Sequence, residues 1–261
     1  MMNSLSRMLT VTADGEPLSF SGRAQRSGQD DLSLFPALFT LELWNLPDEA
    51  ALRLFRCREI AVSCGESCLV SGAVSDVYRR PVPEGILTSV SISLGLDLWE
   101  SVVSLTVPAG TSVSDTVRRI LLASGTGIQL LNVPESDPAS VRPQSFFGRA
   151  SECIVESLST LNSQLSTLRS MLTPSGLMII VPGGLPNPVT IAESDLTDAP
   201  AFVNGGKLAI LSCSVSGWRP GQTAGVRWKG ISFRGIIRSR MVDADTGFGP
   251  WKCELLAEVL R

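Results

Sequence analysis

The sequence predicts a mainly β protein in which a small α/β region is inserted between two β regions. The first hundred residues contain short runs of alternating apolar and polar side chains, with turn signals at roughly 8–12-residue spacing, as in a sandwich or barrel. Two later segments carry apolar residues at helical spacing. Four more strand-like runs follow residue 206. We therefore predict a β region at 1–100, an α/β region at 101–183 and a second β region at 184–261.

The first β region is predicted from alternating runs and the turns between them. Asp14-Gly15 is typical of a two-residue hairpin turn after a first short strand at 9–12. Pro47 favours the start of a short helix that extends to Arg53. Residues 25–31 lack apolar alternation and are predicted as an exposed loop. The remaining predicted strands are 39–44, 59–64, 68–74 and 87–96, the last with serines on one face and Val90, Ile92 and Leu94 on the other.

The α/β region contains the best-marked helix of the chain. Ser112-Val-Ser-Asp115 matches the N-cap pattern S-x-x-[DE], and Gly125 stands where a left-handed C-cap is expected. A second helix is predicted from Arg149 to Leu161, with its apolar stripe packed in a core. The predicted strands are 104–107 and 176–181, the segment 128–131 is a strand or extended, and 132–144 is a loop.

The second β region begins after a Pro-, Gly- and Asp-rich segment at 182–206, which is predicted as a loop containing two glycine turns. Its predicted strands are 207–215, 225–228, 231–242 and 251–259, with a turn at 218–221 and a final hairpin around 243–250. The letters show no strong internal repeat, although the two β regions are similar in kind.

The composition excludes most catalytic chemistry. The chain has no histidine, which rules out a Ser-His-Asp triad, a Cys-His pair and histidine-containing zinc sites. Glu152 and Glu156 share a helix face on which no other functional group gathers, so we interpret them as part of a solvated helix face. Asp243 and Asp245 fit a hairpin tip and offer too few ligands for a metal. We predict no catalytic, cofactor-binding or metal-binding residues, and no enzyme activity.

Charge and hydropathy indicate a protein that is covered by partners. Apolar residues make up 44% and charged residues 18%, which is low for a soluble monomer. The net charge is −3, and the pairs Arg79-Arg80 and Arg118-Arg119 are interpreted as solvated surface, so no specific nucleic-acid binding is expected. We also expect no membrane span and no secretory signal, hence synthesis in the cytoplasm.

Two residue types leave alternatives open. The six cysteines, Cys57, Cys64, Cys68, Cys153, Cys213 and Cys253, are interpreted as buried free thiols, with a later disulfide as the alternative. Three tryptophans, Trp218, Trp228 and Trp251, are interpreted as core or interface residues. As an exposed aromatic platform they would instead indicate a soluble β-rich carbohydrate- or protein-binding module.

Three groups of stretches carry a resemblance to a known family. They are 104–121 with 123–127, then 148–158 leading to 176–180, and finally 219–222, 231–241 and 249–255. In this order they resemble the baseplate hub family of phage tails, which is related to the hub domain of type VI secretion spikes. The likeness covers about 100–261. Many hubs are longer and carry a lysozyme, for which this chain has no room.

The resemblance implies a structural role in the virion. Two tail-tube-like β-barrel domains per chain would flank or interleave with the α/β domain, and a homotrimer would form a pseudo-hexameric ring. The implied partners are a hexameric tail tube or tube-initiator protein and a trimeric central spike, with tape-measure and baseplate wedge proteins as further candidates. DNA would pass through the ring, which would be assembled in the host bacterial cytoplasm. This interpretation expects separate barrels, and a single shared core would refute it.

Overall fold

The computed structural model describes residues 7–20, 22–134, 137–160, 169–173, 176–180 and 184–260. Strands take 53% of the chain and helices 16%, so the predicted fold class is confirmed. The chain forms two compact units. The first contains residues 1–30, 37–94 and 188–261, and the second contains 31–36 and 95–187.

The first part of the first unit is built of seven strands and one helix. They are β1 Thr10–Ala13, β2 Glu16–Pro17, β3 Ala24–Asp31, β4 Ala37–Trp44, α1 Asp48–Leu54, β5 Glu59–Cys64, β6 Ser67–Val82 and β7 Gly85–Leu94. Asp14 and Gly15 both have positive φ, as the tight turn between β1 and β2 requires. Alternation places Phe39, Leu41 and Leu43 of β4 in the core.

The second unit packs three helices against short strands. Its elements are α2 Leu96–Glu100, β8 Val102–Val107, α3 Val113–Ser124, β9 Gln144–Arg149, α4 Ala150–Thr160, β10 Arg169–Thr173 and β11 Gly176–Ile180. The predicted caps of α3 are confirmed. The Ser112 hydroxyl accepts a hydrogen bond from the Asp115 amide, and Gly125 is left-handed with φ 68°. The apolar stripes of α3 and α4 lie in one core with Val103, Phe146 and Leu177.

The chain returns to the first unit through its last six strands. They are β12 Leu185–Ile191, β13 Ala201–Val203, β14 Leu208–Cys213, β15 Gln222–Trp228, β16 Ile231–Asp245 and β17 Trp251–Leu260. The strands of this unit form a single sheet in the order β13-β14-β17-β16-β3-β4-β7-β6-β5-β1-β2, with β15 joining β16 to β12.

Several element predictions were wrong, all in segments without apolar alternation. Residues 25–31 were expected as a loop, but they form the central strand β3, because strands on both sides satisfy its backbone and bury Arg26. The expected loop at 182–206 contains β12 and β13, and β9 and β10 were missed. The expected turn at Pro182-Gly183 lies outside the described residues.

One expectation about the core was also wrong. The segments 1–100 and 184–261 were expected to pack as separate barrels, but their buried apolar side chains form one contiguous cluster. The physical reason is that β3 and β16 are hydrogen-bonded neighbours, so the inner faces of both halves meet at this junction. The assignment of the two segments as two domains stays a prediction.

Candidate assembly interface

The first unit is an internal repeat of one six-stranded arrangement. The strand order β3-β4-β7-β6-β5-β1 in the first half corresponds to β13-β14-β17-β16-β15-β12 in the second half. The six strands also follow each other along the chain in the same sequence in both halves. The sheet therefore consists of two equivalent halves, which the letters alone did not show.

The repeat extends to the details of strand pairing. β6 pairs first with β5 and then with β7, and a β-bulge interrupts its pairing with β7 between Val74 and Asp76. β16 pairs first with β15 and then with β17, and its bulge lies between Ile237 and Ser239. A bulge kinks a strand and strengthens its twist, so the two long strands bend at equivalent places.

The two halves join where β16 lies beside β3, a junction we call the seam. The Thr246 amide donates to the Ala24 carbonyl (2.9 Å), and the Ala24 amide donates to the Thr246 hydroxyl (2.8 Å). At the other end, Arg240 makes two hydrogen bonds to Asp30, at 3.0 and 2.8 Å. β3 and β16 run antiparallel, because the residue numbers fall along β16 in the direction in which they rise along β3.

Two buried arginines lie along the core side of the seam. Arg26 is fully buried and Arg240 is 2% exposed. Arg26 donates to the Val242 carbonyl, and both guanidinium groups reach the Leu69 carbonyl. Burial, together with the charge of Arg240, lowers the pKa of Arg26 to about 10, so it remains protonated at neutral pH. Asp30 is the carboxylate that both cations face, which makes it the electrostatic centre of the seam.

A second ion pair fixes the loop at the end of the seam. Asp245 is fully buried and accepts hydrogen bonds from the guanidinium of Arg23 and from the amide of Gly247. Although burial favours the neutral acid, these donors hold the pKa of Asp245 below its ordinary value. The hairpin expected around 243–250 is present, but Asp243 and Asp245 belong to strand β16 and its tip starts at Thr246, so their placement at the tip was wrong. Asp245 instead ties the hairpin to Arg23, the residue before β3.

The face of the sheet opposite the core is polar and slightly acidic. Since Leu41 and Leu43 of β4 point to the core, Glu42 points away from it. On β17 the same alternation turns Lys252, Glu254 and Glu258 outward, and Glu258 pairs with Arg238. A 3.4 Å contact between the Gln25 amide and the Asp243 carboxylate places β3 and β16 on this shared face.

Besides β2 and β12, which also have a neighbour on one side only, two strand edges of this sheet are open within the described residues. β13 ends the sheet, and its three residues are exposed, with Phe202 at 44% and Val203 at 38%. The second half of β6, Ser75–Val82, has β7 on one side, and no described strand pairs with its other side. Exposed apolar edge strands such as β13 pair readily with another chain, whereas charges and prolines limit unselective pairing. The β6 edge carries such residues, namely Asp76, Arg79, Arg80 and Pro81.

Comparison with solved structures identifies the fold. A tail protein from Neisseria meningitidis MC58 matches 96% of this chain and 95% of its own, at TM-score 0.67 and 12% identity. A tail protein of prophage MuSo2 from Shewanella oneidensis matches 97% and 98%, at TM-score 0.67 and 11% identity. The chain has the fold of phage tail proteins.

This tail-protein fold also occurs in a secretion machine. An E. coli component of the type VI secretion system, itself structurally similar to the T4 bacteriophage tail proteins gp27 and gp5, matches 96% of this chain and 77% of its own, at TM-score 0.68 and 12% identity. No protein-family model matches the sequence, and no curated protein matches it. At such low identity the similarity lies in the arrangement of the backbone. The resemblance predicted from the sequence is confirmed at the level of the fold.

The residues that raised alternative functions lie within this tail-protein fold as packing residues. Trp218, Trp228 and Trp251 are each half-buried against the core of the first unit, so they do not form an exposed aromatic platform. Glu152 lies 3.6 Å from Arg149, and both Glu152 and Glu156 line an apolar groove of the second unit with Phe35 and Trp99. The expected solvated face of α4 is therefore also a groove wall.

The expectation of surface arginines was wrong for Arg79. Its side chain contacts Asp48 and donates to the Leu46 carbonyl, and it is 24% exposed because these partners lie on the core side of β6. Arg118 pairs with Asp115 on the surface of α3, as expected.

The cysteines are free thiols, and burial disfavours the ionisation of those in the cores. All six are unpaired, and Cys153, Cys213 and Cys253 are buried, whereas the other three are only half-buried. Burial raises the pKa of Cys213 to about 12 and that of Cys253 to about 11. Burial and the nearby Glu156 and Glu152 also raise the pKa of Cys153. A raised pKa makes a thiol a poor nucleophile.

The described part of the chain contains neither a candidate metal cluster nor a candidate membrane-spanning helix. No group of three or more Cys, Asp or Glu side chains there is placed to hold a metal ion. No helix there has the length and apolar character that crossing a membrane requires.

Proposed function

We propose that the protein is a structural baseplate hub, in which three copies form a ring that joins a hexameric tail tube to a trimeric central spike. In this proposal 1–100 and 184–261 are two tube-type domains, 101–183 is an inserted α/β domain, and the protein has no catalytic role. The observation that carries the proposal is the internal repeat, because one chain then presents two equivalent sets of strands. Three chains present six sets, which match a sixfold neighbour.

The interpretation from sequence took a shared core as refuting the ring, but this condition was stricter than the ring requires. Threefold assembly onto a sixfold tube requires two equivalent strand sets per chain, and it does not require that they pack independently. Neighbouring sets within one ring must touch, so buried side chains at the β3–β16 seam are compatible with adjacent tube-type halves. The matching bulges of β6 and β16 support the equivalence of the two sets.

The outward face of the sheet supports a channel for DNA. The carboxylates Glu42, Asp243 and Glu254 outnumber the cations Lys252 and Arg80 on this face, and Arg238 is paired with Glu258. Phosphates bind proteins through unpaired Lys and Arg, which release counterions from the nucleic acid. A channel lined by this face would therefore let a genome pass without holding it.

The proposed partners and location follow from this role. The ring would contact a tail tube or tube-initiator protein on one side and the central spike on the other, with tape-measure and wedge proteins nearby. It would be assembled in the host bacterial cytoplasm and remain in the tail baseplate of the virion.

The mass of the purified protein tests the ring. Sedimentation equilibrium should give a trimer of about 83 kDa, which is three times 27.8 kDa. Electron micrographs of these particles should show a ring with sixfold pseudo-symmetry. A monomer that persists over the whole concentration range, or a dimer with twofold symmetry, would contradict the proposal.

A further inference from the structure

We infer that the ring closes by pairing the two open sheet edges between copies, so that β13 of one copy lies antiparallel beside the Ser75–Val82 half of β6 of a second copy. The inference rests on the proposed ring and adds the strands and residues that form its junction. The seam between β3 and β16 serves as the template, because β13 is the repeat of β3 and β6 is the repeat of β16.

The register of the repeat can be followed strand by strand. Ser27 of β3 is opposite Thr40 of β4, and Ala201 of β13 is opposite Ile210 of β14. Thr40 is opposite Ser91 of β7, and Ile210 is opposite Leu256 of β17.

The last step of this path reaches the long strands. Ser91 is opposite Asp76 of β6, and Leu256 is opposite Ser239 of β16, each immediately after the bulge. Counting four residues onward from each, Arg80 of β6 occupies the place of Asp243 of β16, and Ala201 occupies the place of Ser27.

The contacts of the seam then give the pairing between copies. Hydrogen bonds join Ala24 to Thr246 at one end of the seam, and an ion pair joins Asp30 to Arg240 at the other end. Midway between these two contacts, Ser27 faces Asp243. Transferred to the open edges, Ala201 of one copy faces Arg80 of the next copy. Both residues are exposed in the single chain.

The core-side residues of the open edges carry fewer charges than those of the seam, although Arg79 remains among them and the same register sets Pro200 opposite Pro81, a pair that adds no backbone hydrogen bond. The places of Arg26, Asp30 and Arg240 in the seam are taken by Pro200, Asn204 and Val77 at the open edges. Burying charges from two separate chains carries a large desolvation penalty, whereas burying apolar and neutral groups does not. The exposed Phe202 and Val203 of β13 supply apolar area that pairing would cover.

Cysteine crosslinking tests the pairing directly. Facing residues in antiparallel strands have Cα atoms about 4.5–5.5 Å apart, which lies within the range of a disulfide. The double variant Ala201→Cys with Arg80→Cys should give covalent dimers and closed covalent trimers on a non-reducing gel after mild oxidation. Each single variant and the wild-type chain, which carries the six native cysteines, should stay at monomer mass.

The seam provides a matched control. The double variant Ser27→Cys with Asp243→Cys should form its disulfide within one chain and stay at monomer mass on the same gel. If that variant closes and wild-type protein sediments as a trimer, but Ala201→Cys with Arg80→Cys gives no covalent oligomer, the strand pairing is refuted and the ring survives. A monomeric wild-type protein refutes both.

A charge at the apolar edge provides a second test. Val203→Lys should weaken trimer association at least tenfold in sedimentation, since an inserted lysine protects a strand edge from pairing. Val133→Lys is the control, because Val133 is 51% exposed and belongs to the second unit. Equal association of the two variants would contradict the pairing.

Discussion

Removing the carboxylate of Asp30 is expected to destabilise the first unit strongly. Arg240 would lose two hydrogen bonds and its counter-charge while remaining 2% exposed, and the fully buried Arg26 beside it would lose the same counter-charge. Breaking a buried ion pair by removing one partner costs about 3–5 kcal/mol. Asp30 is 18% exposed, so we expect Asp30→Asn to lower the free energy of unfolding by about 3 kcal/mol, the lower end of that range.

Urea unfolding followed by tryptophan fluorescence measures this change. With a slope of about 2–3 kcal/mol per molar urea, a loss of about 3 kcal/mol lowers the midpoint by roughly 1–1.5 M. All variants should be compared at one protein concentration, because association adds to apparent stability.

The reciprocal variants separate the ion pair from simple loss of packing. Arg240→Met alone should also destabilise, because it leaves Asp30 with only the more distant Arg26 as its cation. The double variant Asp30→Leu with Arg240→Met should recover only part of the stability, since apolar replacement of a buried pair is close to neutral but Arg26 still lacks its counter-charge. A midpoint for Asp30→Asn within about 0.3 M of wild type, roughly 1 kcal/mol or less, would refute the reasoning.

Three further outcomes are expected. Because its folded pKa is depressed, Asp245 contributes stability that is present above its unfolded pKa and lost as pH falls through the folded value; Asp245→Asn should therefore flatten the acid side of the stability curve measured from pH 5 to 2.5. Cys213 and Cys253 should resist iodoacetamide at pH 8 in the folded protein and react in urea, as read by mass spectrometry. Ser112→Ala should cost the second unit about 1 kcal/mol, measured by thermal unfolding, whereas Ser104→Ala at an exposed strand position should cost little.

Each of these three predictions would be contradicted by a specific result. Parallel acid curves for wild type and Asp245→Asn would show that this carboxylate does not stabilise the fold by ionising. Alkylation of Cys213 or Cys253 in the native protein would show that the β14–β17 core opens readily. Equal losses for Ser112→Ala and Ser104→Ala would remove the capping argument.

The sequence predicted the elements that carry their own local signals. The caps of α3 at Ser112 and Gly125, the Asp14-Gly15 turn and the alternating strand at 39–44 depend on neighbours within a few residues, so their patterns are visible in the letters. The strong alternation of β7 likewise placed Val90 and Ile92 in the core.

The missed elements depend on distant partners. β3 contains two aspartates and a buried arginine, and it becomes a strand because β4 and β16 provide hydrogen bonds on both sides. β13 has three residues and gains its register from β14. Such strands have no period-two signal of their own, because tertiary pairing overrides weak local preference.

The candidate interface was predicted only in outline. Two β regions of similar kind were recognised, but their equivalence lies in strand order and bulge position, neither of which leaves matching letters. The seam was missed for the same reason as β3. A buried arginine facing a sheet neighbour is indistinguishable in sequence from a solvated one.

The duplication also changes how a ring is built. In a ring of three, half of the six junctions between strand sets are already closed when each polypeptide folds, because β3 and β16 belong to one chain. Those three contacts form at a rate that does not depend on how many copies the cell has made. Only three contacts between molecules remain to be formed, so such a ring can assemble at a lower copy number than a ring of six single-set subunits.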